Sequence, residues 1–286
     1  MPEERTSQTI GAVLSAAVAA VGPDQRLDVE LLLGQATGLN RAGLLREGRS
    51  ALSPAAHVQF NALLAALRSG RPVAQLLGER EFWSLALKVD EHVLIPRPET
   101  ELLVEIVLEL ARQAPPGPII DLGTGTGAIA ISLARELPAR TVLASDDSHA
   151  ALRIAAHNVA RHAPARVQLI AGDWLNPVGP ARCALIVSNP PYVSAQDPAL
   201  QADGALRFEP RRALASGPEG LDALAAILAQ APARLLPGGW VALEHGATQS
   251  LAVQQLMAAA GFQAIATRHD LAGLARVTFA QQPANA

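Results

Sequence analysis

Over roughly the first 80 positions, apolar residues recur at the three- and four-residue spacing of helices, with stop and start signals between the runs. Ser53 and Pro54 form an N-cap and first-turn pair, Leu63, Leu64 and Leu67 make an apolar stripe, and Gly70 stops the helix. An earlier helix is predicted from about Asp28 through Leu31, Leu32 and Leu33 to the region of Gly34 and Gly38. The uncharged, Ala-rich run from Ser7 to Pro23 is shorter than the roughly 20 apolar residues of a membrane span. Glu3, Glu4 and Arg5 before it lack the positive charge of a signal peptide, so an amphipathic N-terminal helix is predicted.

Between Glu79 and Ile95 the period changes to two, with Phe82, Leu85, Leu87 and Val89 alternating with polar positions, the mark of short paired strands. A helix then starts near Pro98 to Glu101 and places Leu102, Leu103, Ile106, Val107 and Leu110 on its buried face. Beyond it, strand-like runs at Ile119–Leu122, Thr141–Ser145, Val167–Ala171, Leu185–Ser188 and Trp240–Glu244 alternate with helical stretches, including 150–162 and 221–236. That alternation predicts a parallel sheet with helices on both faces. Two closing strands, Phe262–Thr267 and Arg276–Phe279, are joined too tightly for a crossover helix and should pair antiparallel. The domain reading is a helical bundle over 1–78, a β-hairpin connector over 79–96 and an α/β domain over 97–286.

Chemistry enters at the strand ends. Asp121-Leu122-Gly123-Thr124-Gly125-Thr126-Gly127 follows an apolar strand and opens a helix, where glycines admit a ligand to the backbone and the helix start offers free N–H groups. A nucleotide-like ligand is expected there. Gly123 and Gly125, followed by Ala128, also satisfy the dinucleotide fingerprint, so an NAD-dependent oxidoreductase stays open at this point. The second strand ends in Ser145-Asp146-Asp147, and Asp146, 21 residues after Gly125, continues the strand end and suits a ribose diol. Asp147 reads as an N-cap, although it remains a second candidate for the ribose. After the third strand, Gly172-Asp173-Trp174 offers a carboxylate and an indole for the edge and face of an adenine.

Asn189-Pro190-Pro191-Tyr192 stands at the carboxyl end of the fourth strand, beside the point where open α/β sheets bind ligands. The prolines stiffen the backbone, so the Asn189 side-chain oxygen and the Pro190 carbonyl can accept both hydrogens of a planar NH₂ group, with Tyr192 stacked on its plane. An amide nitrogen is a poor nucleophile because its lone pair is delocalised. Accepting its two protons favours charge build-up on nitrogen, and a sulfonium methyl donor would complete the reaction by positioning more than by base or metal chemistry.

Charge narrows the acceptor. The 286 residues carry 23 basic and 26 acidic side chains, a formal charge of −3, and Lys88 is the sole lysine. Residues 1–85 hold eight basic and eight acidic groups, which suits a protein-docking or substrate-guiding bundle better than a nucleic-acid clamp. A single cysteine, Cys183, leaves no internal disulfide or multi-cysteine metal site, and a reducing cytoplasm fits. His157 and His162 are five apart and off one helix face, so no metal is expected.

The ordered set DLGTGTGAIA, GDW and SNPPY is similar to class I S-adenosylmethionine-dependent methyltransferases acting on exocyclic or amide nitrogens. EFWSL at 81–85, LIPRPETE at 94–101, RFEP at 207–210, LEHG at 243–246 and RVT at 276–278 resemble the HemK (PrmC) family, the peptide chain release factor N5-glutamine methyltransferases. The resemblance runs over nearly the whole chain. It implies a Rossmann-like seven-stranded sheet with the last strand antiparallel, and S-adenosyl-L-methionine as methyl donor, leaving as S-adenosyl-L-homocysteine. It places Asp121, Gly123, Thr124, Gly125, Thr126, Gly127, Asp173 and Asn189 on the cofactor, with Asp146 on the ribose and Trp174 near the adenine. Asn189, Pro190, Pro191 and Tyr192 would grip the glutamine of a release factor's Gly-Gly-Gln loop, and Phe82 and Trp83 could wall its slot. The chain departs from the family at Asp147-Ser148-His149, where an apolar residue followed by Ser-Pro is common.

Rival acceptors present the same planar nitrogen. A DNA adenine would need phosphate neutralisation that this acidic chain scarcely supplies. A ribosomal-protein glutamine is separated only by the RPETE stretch. A catalytically silent scaffold would not need SNPPY. His245, after Glu244 at a strand end, reads as structural rather than as a base, and Arg97, Glu99 and Glu101 could order the connector around the pocket.

Overall fold

The computed structural model describes residues 8–179, 182–200, 202 and 204–284. Glu3, Glu4 and Arg5, on which the reading of the N-terminus turned, lie outside them. The chain divides into two compact units. The first runs through Gly78 and includes the segment ending at Phe208; the second comprises the rest.

In the first unit, α1 (Ile10–Val21), α2 (Arg26–Thr37), α3 (Arg41–Arg46), α4 (Pro54–Arg68) and α5 (Val73–Leu77) pack around Val29, Leu32, Leu33, Leu44 and Phe60. Their ends follow the chemistry of the sequence. The Thr9, Asn40 and Ser53 side chains accept from the third backbone N–H beyond each, and Gly38 closes α2 in the left-handed region, φ +73°. Leu63, Leu64 and Leu31 are half-buried, while Phe60 and Leu67 carry the buried face of α4. No helix among the described residues is long and apolar enough to cross a membrane.

The second unit opens with a hairpin of β1 (Glu79–Phe82) and β2 (Leu85–Lys88), in register from Glu79 opposite Lys88 to Phe82 opposite Leu85. Its main sheet has seven strands: β3 (Ile119–Leu122), β4 (Val142–Asp146), β5 (Val167–Ala171), β6 (Cys183–Ser188), β7 (Leu235–Glu244), β8 (Gln263–His269) and β9 (Ala275–Gln281). The order is β5-β4-β3-β6-β7-β9-β8, and β9 alone runs against the others. Helices α6 (Glu101–Leu110), α7 (Ala128–Glu136), α8 (His149–His162), α9 (Asp222–Arg234) and α10 (Ser250–Ala259) are interleaved with the strands, and two apolar cores form, one containing Ile119 and Leu185, the other Ile120 and Ile186. Consecutive residues of one strand thus serve opposite cores, as expected of a sheet covered on both faces. On α6, Leu102 is half-buried and Val104 fully buried, a shift of the apolar stripe by one position.

Strand β7 starts five residues earlier than its apolar run. Leu235 pairs with Cys183 and Trp240 with Leu185, so the Pro237-Gly238-Gly239 excess is a bulge inside the strand. Gly238 sits at φ +75°, and a Cβ on Gly239 would fall 2.9 Å from the Ala184 carbonyl oxygen.

The chain order reverses between β3 and β6. Ser188 lies opposite Leu122, and its hydroxyl donates to the Leu122 carbonyl at 2.7 Å. The glycine loop after β3 and the Asn-Pro-Pro-Tyr turn after β6 therefore leave the sheet side by side.

Candidate active site

At those strand ends lies a cleft of about 170 Å³. Gly123, Gly125, Asp146, Asp173, Trp174, Asn189 and Pro191 line it, as do Asp147 and Ser148. Its remaining wall comes from His92, Val93 and Leu94 and from Pro210, Arg212 and Ala213. Leu94 and Pro210 belong to the LIPRPETE and RFEP runs, but no spacing in the sequence placed either segment at a cavity wall.

Asp146 ends β4. Its Oδ2 accepts from the Gly125 N–H at 2.9 Å and its Oδ1 from the Ser148 N–H at 2.8 Å, so the carboxylate holds the glycine loop against the strand end while facing the cleft. Burial raises its pKa, its two backbone donors oppose the rise, and the neighbouring Asp147 adds to it. Asp147 does not cap α8. Ser148 does, accepting from Ala151 N–H, because Asp147 faces outward to an ion pair with Arg212 at the cleft mouth. Gly123 sits at φ +66°, a conformation that favours glycine, and the Trp174 ring packs 3.5 Å from where its Cβ would stand.

Several sequence-derived residues support the cleft without lining it. Asp121 is fully buried, and its Oδ2 accepts from the Thr124 hydroxyl at 2.6 Å and the Ala130 N–H at 3.3 Å. Burial, with Asp146 nearby, raises its pKa to about 7. Thr124 and Thr126 are buried; Gly127 starts α7 at φ +82°. The Thr126 carbonyl accepts from the buried Asn158, which also bonds both backbone groups of Lys88. These residues shape the loop beside the cleft. Asn158 gave no motif signal, being a single polar residue on an apolar helix face.

Phe82 requires correction. It is 1% exposed and packs in the core with Leu85, Leu87 and Leu103, on the buried side of its strand, and does not line this cleft. Trp83, at φ +51°, donates its indole N–H to Glu136 and its backbone N–H to Glu101.

After β6, Pro190 is buried and Asn189 and Pro191 face the cleft. Asn189 Nδ2 donates to the Thr100 hydroxyl at 3.1 Å, which leaves the side-chain oxygen as the amide's other polar atom. The Tyr192 hydroxyl donates to Glu244 Oε1 at 3.3 Å, and its carbonyl accepts from Gln249. Burial first, then the Glu244 charge, push the Tyr192 pKa up, so the phenol keeps its proton. Buried His245 hydrogen-bonds the Gly246 carbonyl and the Thr278 hydroxyl, and burial lowers its pKa, which keeps the ring neutral and away from the cleft.

The cleft's rim is braced by Glu209. Its carboxylate accepts from the Ile95 N–H at 2.9 Å and from Arg97 Nη2 at 2.5 Å, joining the segment before α6 to the 210–213 wall.

Comparison with known proteins agrees with this geometry. The model of the methyltransferase small domain matches residues 98–221, and that of the PrmC N-terminal domain matches residues 14–78. The release factor glutamine methyltransferase of Xylella fastidiosa strain Temecula1 is 46% identical over 95% of this chain and 98% of its own length. That of Vibrio cholerae is 44% identical over 96% and 97%. Among solved structures, a methyltransferase from Pyrococcus furiosus superimposes with a TM-score of 0.53 at 16% identity, covering 77% of this chain and 97% of that one. The T. thermophilus 16S rRNA N2 G1207 methyltransferase, solved with AdoMet and guanosine, gives 0.51 at 22% identity, covering 71% and 49%. The distant structures share the fold; the close relatives share the length and both matched regions, and the chain belongs to the release factor glutamine methyltransferase family.

Proposed function

We propose that this enzyme methylates the side-chain amide nitrogen, N5, of the glutamine in the Gly-Gly-Gln motif of a peptide chain release factor, in the cytoplasm where that acceptor works. When bound, S-adenosyl-L-methionine supplies a methyl group made electrophilic by the positive sulfur, and it leaves as S-adenosyl-L-homocysteine. The cleft suits such a donor: a carboxylate at the end of β4, Asp146, for a ribose diol, glycine backbone beside it, and the Trp174 face and Asp173 for an adenine. Asp146 is preferred over Asp147 because Asp147 is engaged by Arg212.

The single observation that carries the acceptor side is the orientation of Asn189. With its NH₂ turned to Thr100, its oxygen is the acceptor offered to the cleft. Asn189 Oδ1 and the Pro190 carbonyl each take one hydrogen of the substrate NH₂, fixing its plane and favouring positive charge on nitrogen as it attacks. The nitrogen bonds the methyl carbon as the carbon–sulfur bond breaks, and one of the nitrogen's two protons then passes to solvent water. Tyr192 packs on the amide plane, and no metal or strong base is required of the protein. The 26 acidic side chains outnumber the 23 basic ones, so the chain as a whole carries no excess positive charge for a nucleic-acid acceptor.

The test is incubation with labelled S-adenosylmethionine and separate acceptors (release factor, ribosome and DNA), with mass spectrometry of the modified residue. Label is expected on the release-factor glutamine, and label on another acceptor rejects the reading. Asn189→Ala should lower turnover by about 10²-fold or more while donor binding survives, and unchanged turnover would remove Asn189 from its role. Asp146→Ala should instead weaken donor binding by titration; unchanged affinity rejects the ribose assignment.

A further inference from the structure

Pro190 and Pro191 bring no N–H to the turn that follows β6, so two of its four residues can be fastened only through their carbonyls or by packing. The turn is nevertheless tied down at its far end. Gln249, the residue before α10, does not line the cleft and gives no side-chain bond to its own helix start. Its Nε2 donates instead to the Tyr192 carbonyl at 3.0 Å and to the Glu219 carbonyl at 3.1 Å, and its Oε1 accepts from the Gly246 N–H at 2.8 Å.

Proton counting fixes that amide in one orientation. A backbone N–H only donates and a carbonyl only accepts, so the atom at Gly246 is the oxygen and the atom at Tyr192 the nitrogen. One side chain thereby joins three loops: the turn after β6, the segment before α9 and the segment after β7. Two glycines let these loops close on the tyrosine. A Cβ on Gly220, at φ +74°, would stand 2.1 Å from the Tyr192 carbonyl oxygen, and one on Gly246 would stand 3.7 Å from the Tyr192 ring. Tyr192 is thus held at its carbonyl by Gln249, and its ring lies against Gly246, which Gln249 also fastens.

We propose that Gln249 is a positioning residue for methyl transfer, fixing the Asn-Pro-Pro-Tyr turn so that the Pro190 carbonyl and the Tyr192 ring meet the substrate amide in register. The proposal rests on the acceptor role assigned to that turn above. Ser188, whose hydroxyl bonds Leu122, anchors the entry to the turn, and Val193, whose N–H and carbonyl pair with Leu214 and Ser216, anchors the chain just beyond it. Gln249 acts between these anchors, on the last residue of the turn itself. A misplacement of about 1 Å can cost about 10²-fold in rate, so a turn loosened at one end loses turnover. Donor binding should be spared, because Gly125, Asp146 and Trp174 follow β3, β4 and β5, whereas Gln249 follows β7 on the opposite side of β6.

Three variants test this: Gln249→Met, which keeps the length and deletes both arms; Gln249→Glu, which, ionised at pH 8, keeps an acceptor for Gly246 and loses the donor to Tyr192; and Asn189→Ala as reference. Steady-state kcat and KM for the release factor are read beside the affinity and stoichiometry of S-adenosylmethionine binding. Tyr192 is the chain's only tyrosine, so tyrosine labelled with carbon-13 at its carbonyl gives one resonance that reports the Gln249 bond directly. Both Gln249 variants should lower kcat about 10-fold or more, with donor affinity and a full complement of sites retained, and both should move that resonance. A kcat for both within about twofold of the unsubstituted enzyme, with Asn189→Ala slow, overturns the proposal and leaves the acceptor role standing. So does a full rate in Gln249→Glu beside a slow Gln249→Met, which would place the effect at Gly246 alone, or an unmoved resonance. A rate loss matched by fewer donor sites overturns it too, since that marks a purely structural role. Full turnover in Asn189→Ala removes the underlying reading instead.

Discussion

Glu244 shows how a single side chain can be retained at the expense of stability. Burial raises its pKa from 4.5 to about 7, with the Thr100 and Tyr192 hydroxyls and Arg276 opposing the rise and Glu99 adding to it. A carboxyl whose folded pKa lies above its unfolded one favours folding fully below the unfolded value. As pH climbs from about 4.5 to about 7 the unfolded chain releases its proton while the folded chain holds on, so stability drains away across that window and levels off above it. Glu244→Gln has no such proton to lose. Urea unfolding of both proteins from pH 4 to pH 8 should show the glutamine variant gaining on the parent between about pH 4.5 and 7, then a constant difference. Asp121, also raised to about 7, leaves the same slope in both and cancels. A difference independent of pH would mean the carboxyl is not buried as described. Asn189 to Tyr192 announce themselves as four contiguous positions; Glu244 stands in the LEHG run of the sequence, but its bond to Tyr192 is made only through the folded sheet.

At the scale of elements, the pattern of apolar runs located every strand of the main sheet, because each strand is a short β-branched block with a break on either side. It misjudged the start of β7, since Pro237-Gly238-Gly239 reads as a turn and in the fold is a bulge held between Ala184 and Gln282. It also missed the cleft's second wall, because segments 92–94 and 210–213 are irregular and acquire their place only through Glu209. That brace supports a measurable expectation. Glu209→Ala would leave the Ile95 N–H and the half-buried Arg97 guanidinium without their acceptor, a loss on the order of 2–3 kcal/mol for charge-assisted bonds. The variant should melt several degrees lower and bind S-adenosylmethionine more weakly by calorimetry, since both rim segments are released together. Unchanged donor affinity in a folded Glu209→Ala protein would show that the brace serves the fold and not the cleft.

For the whole molecule, the boundary at residue 78, drawn from the change of apolar period, takes in the helices, and the first unit holds one further segment. The chain leaves the second unit after residue 202 and returns at Glu209, and the intervening segment through Phe208 belongs with the helices. There two guanidinium groups lie over the Phe208 ring, Arg71 at 5.4 Å and Arg207 at 4.9 Å from its centre, while its carbonyl accepts from Gln75 of α5 at 2.8 Å. Nothing periodic marks this segment in the sequence, and a strand-helix alternation interrupted by six residues still reads as one domain. Phe208→Ala deletes the ring and keeps the carbonyl, so the Gln75 bond survives while the cation–π contacts, worth about 1–2 kcal/mol together, are lost along with the ring's own packing. If the segment stabilises the helices locally, amides of α5 should exchange about 5- to 30-fold faster in the variant, while those of β3 and β6 keep their protection. Equal protection of α5 in both proteins would detach the segment from the first unit, and faster exchange spread through the sheet would show that the two units open as one.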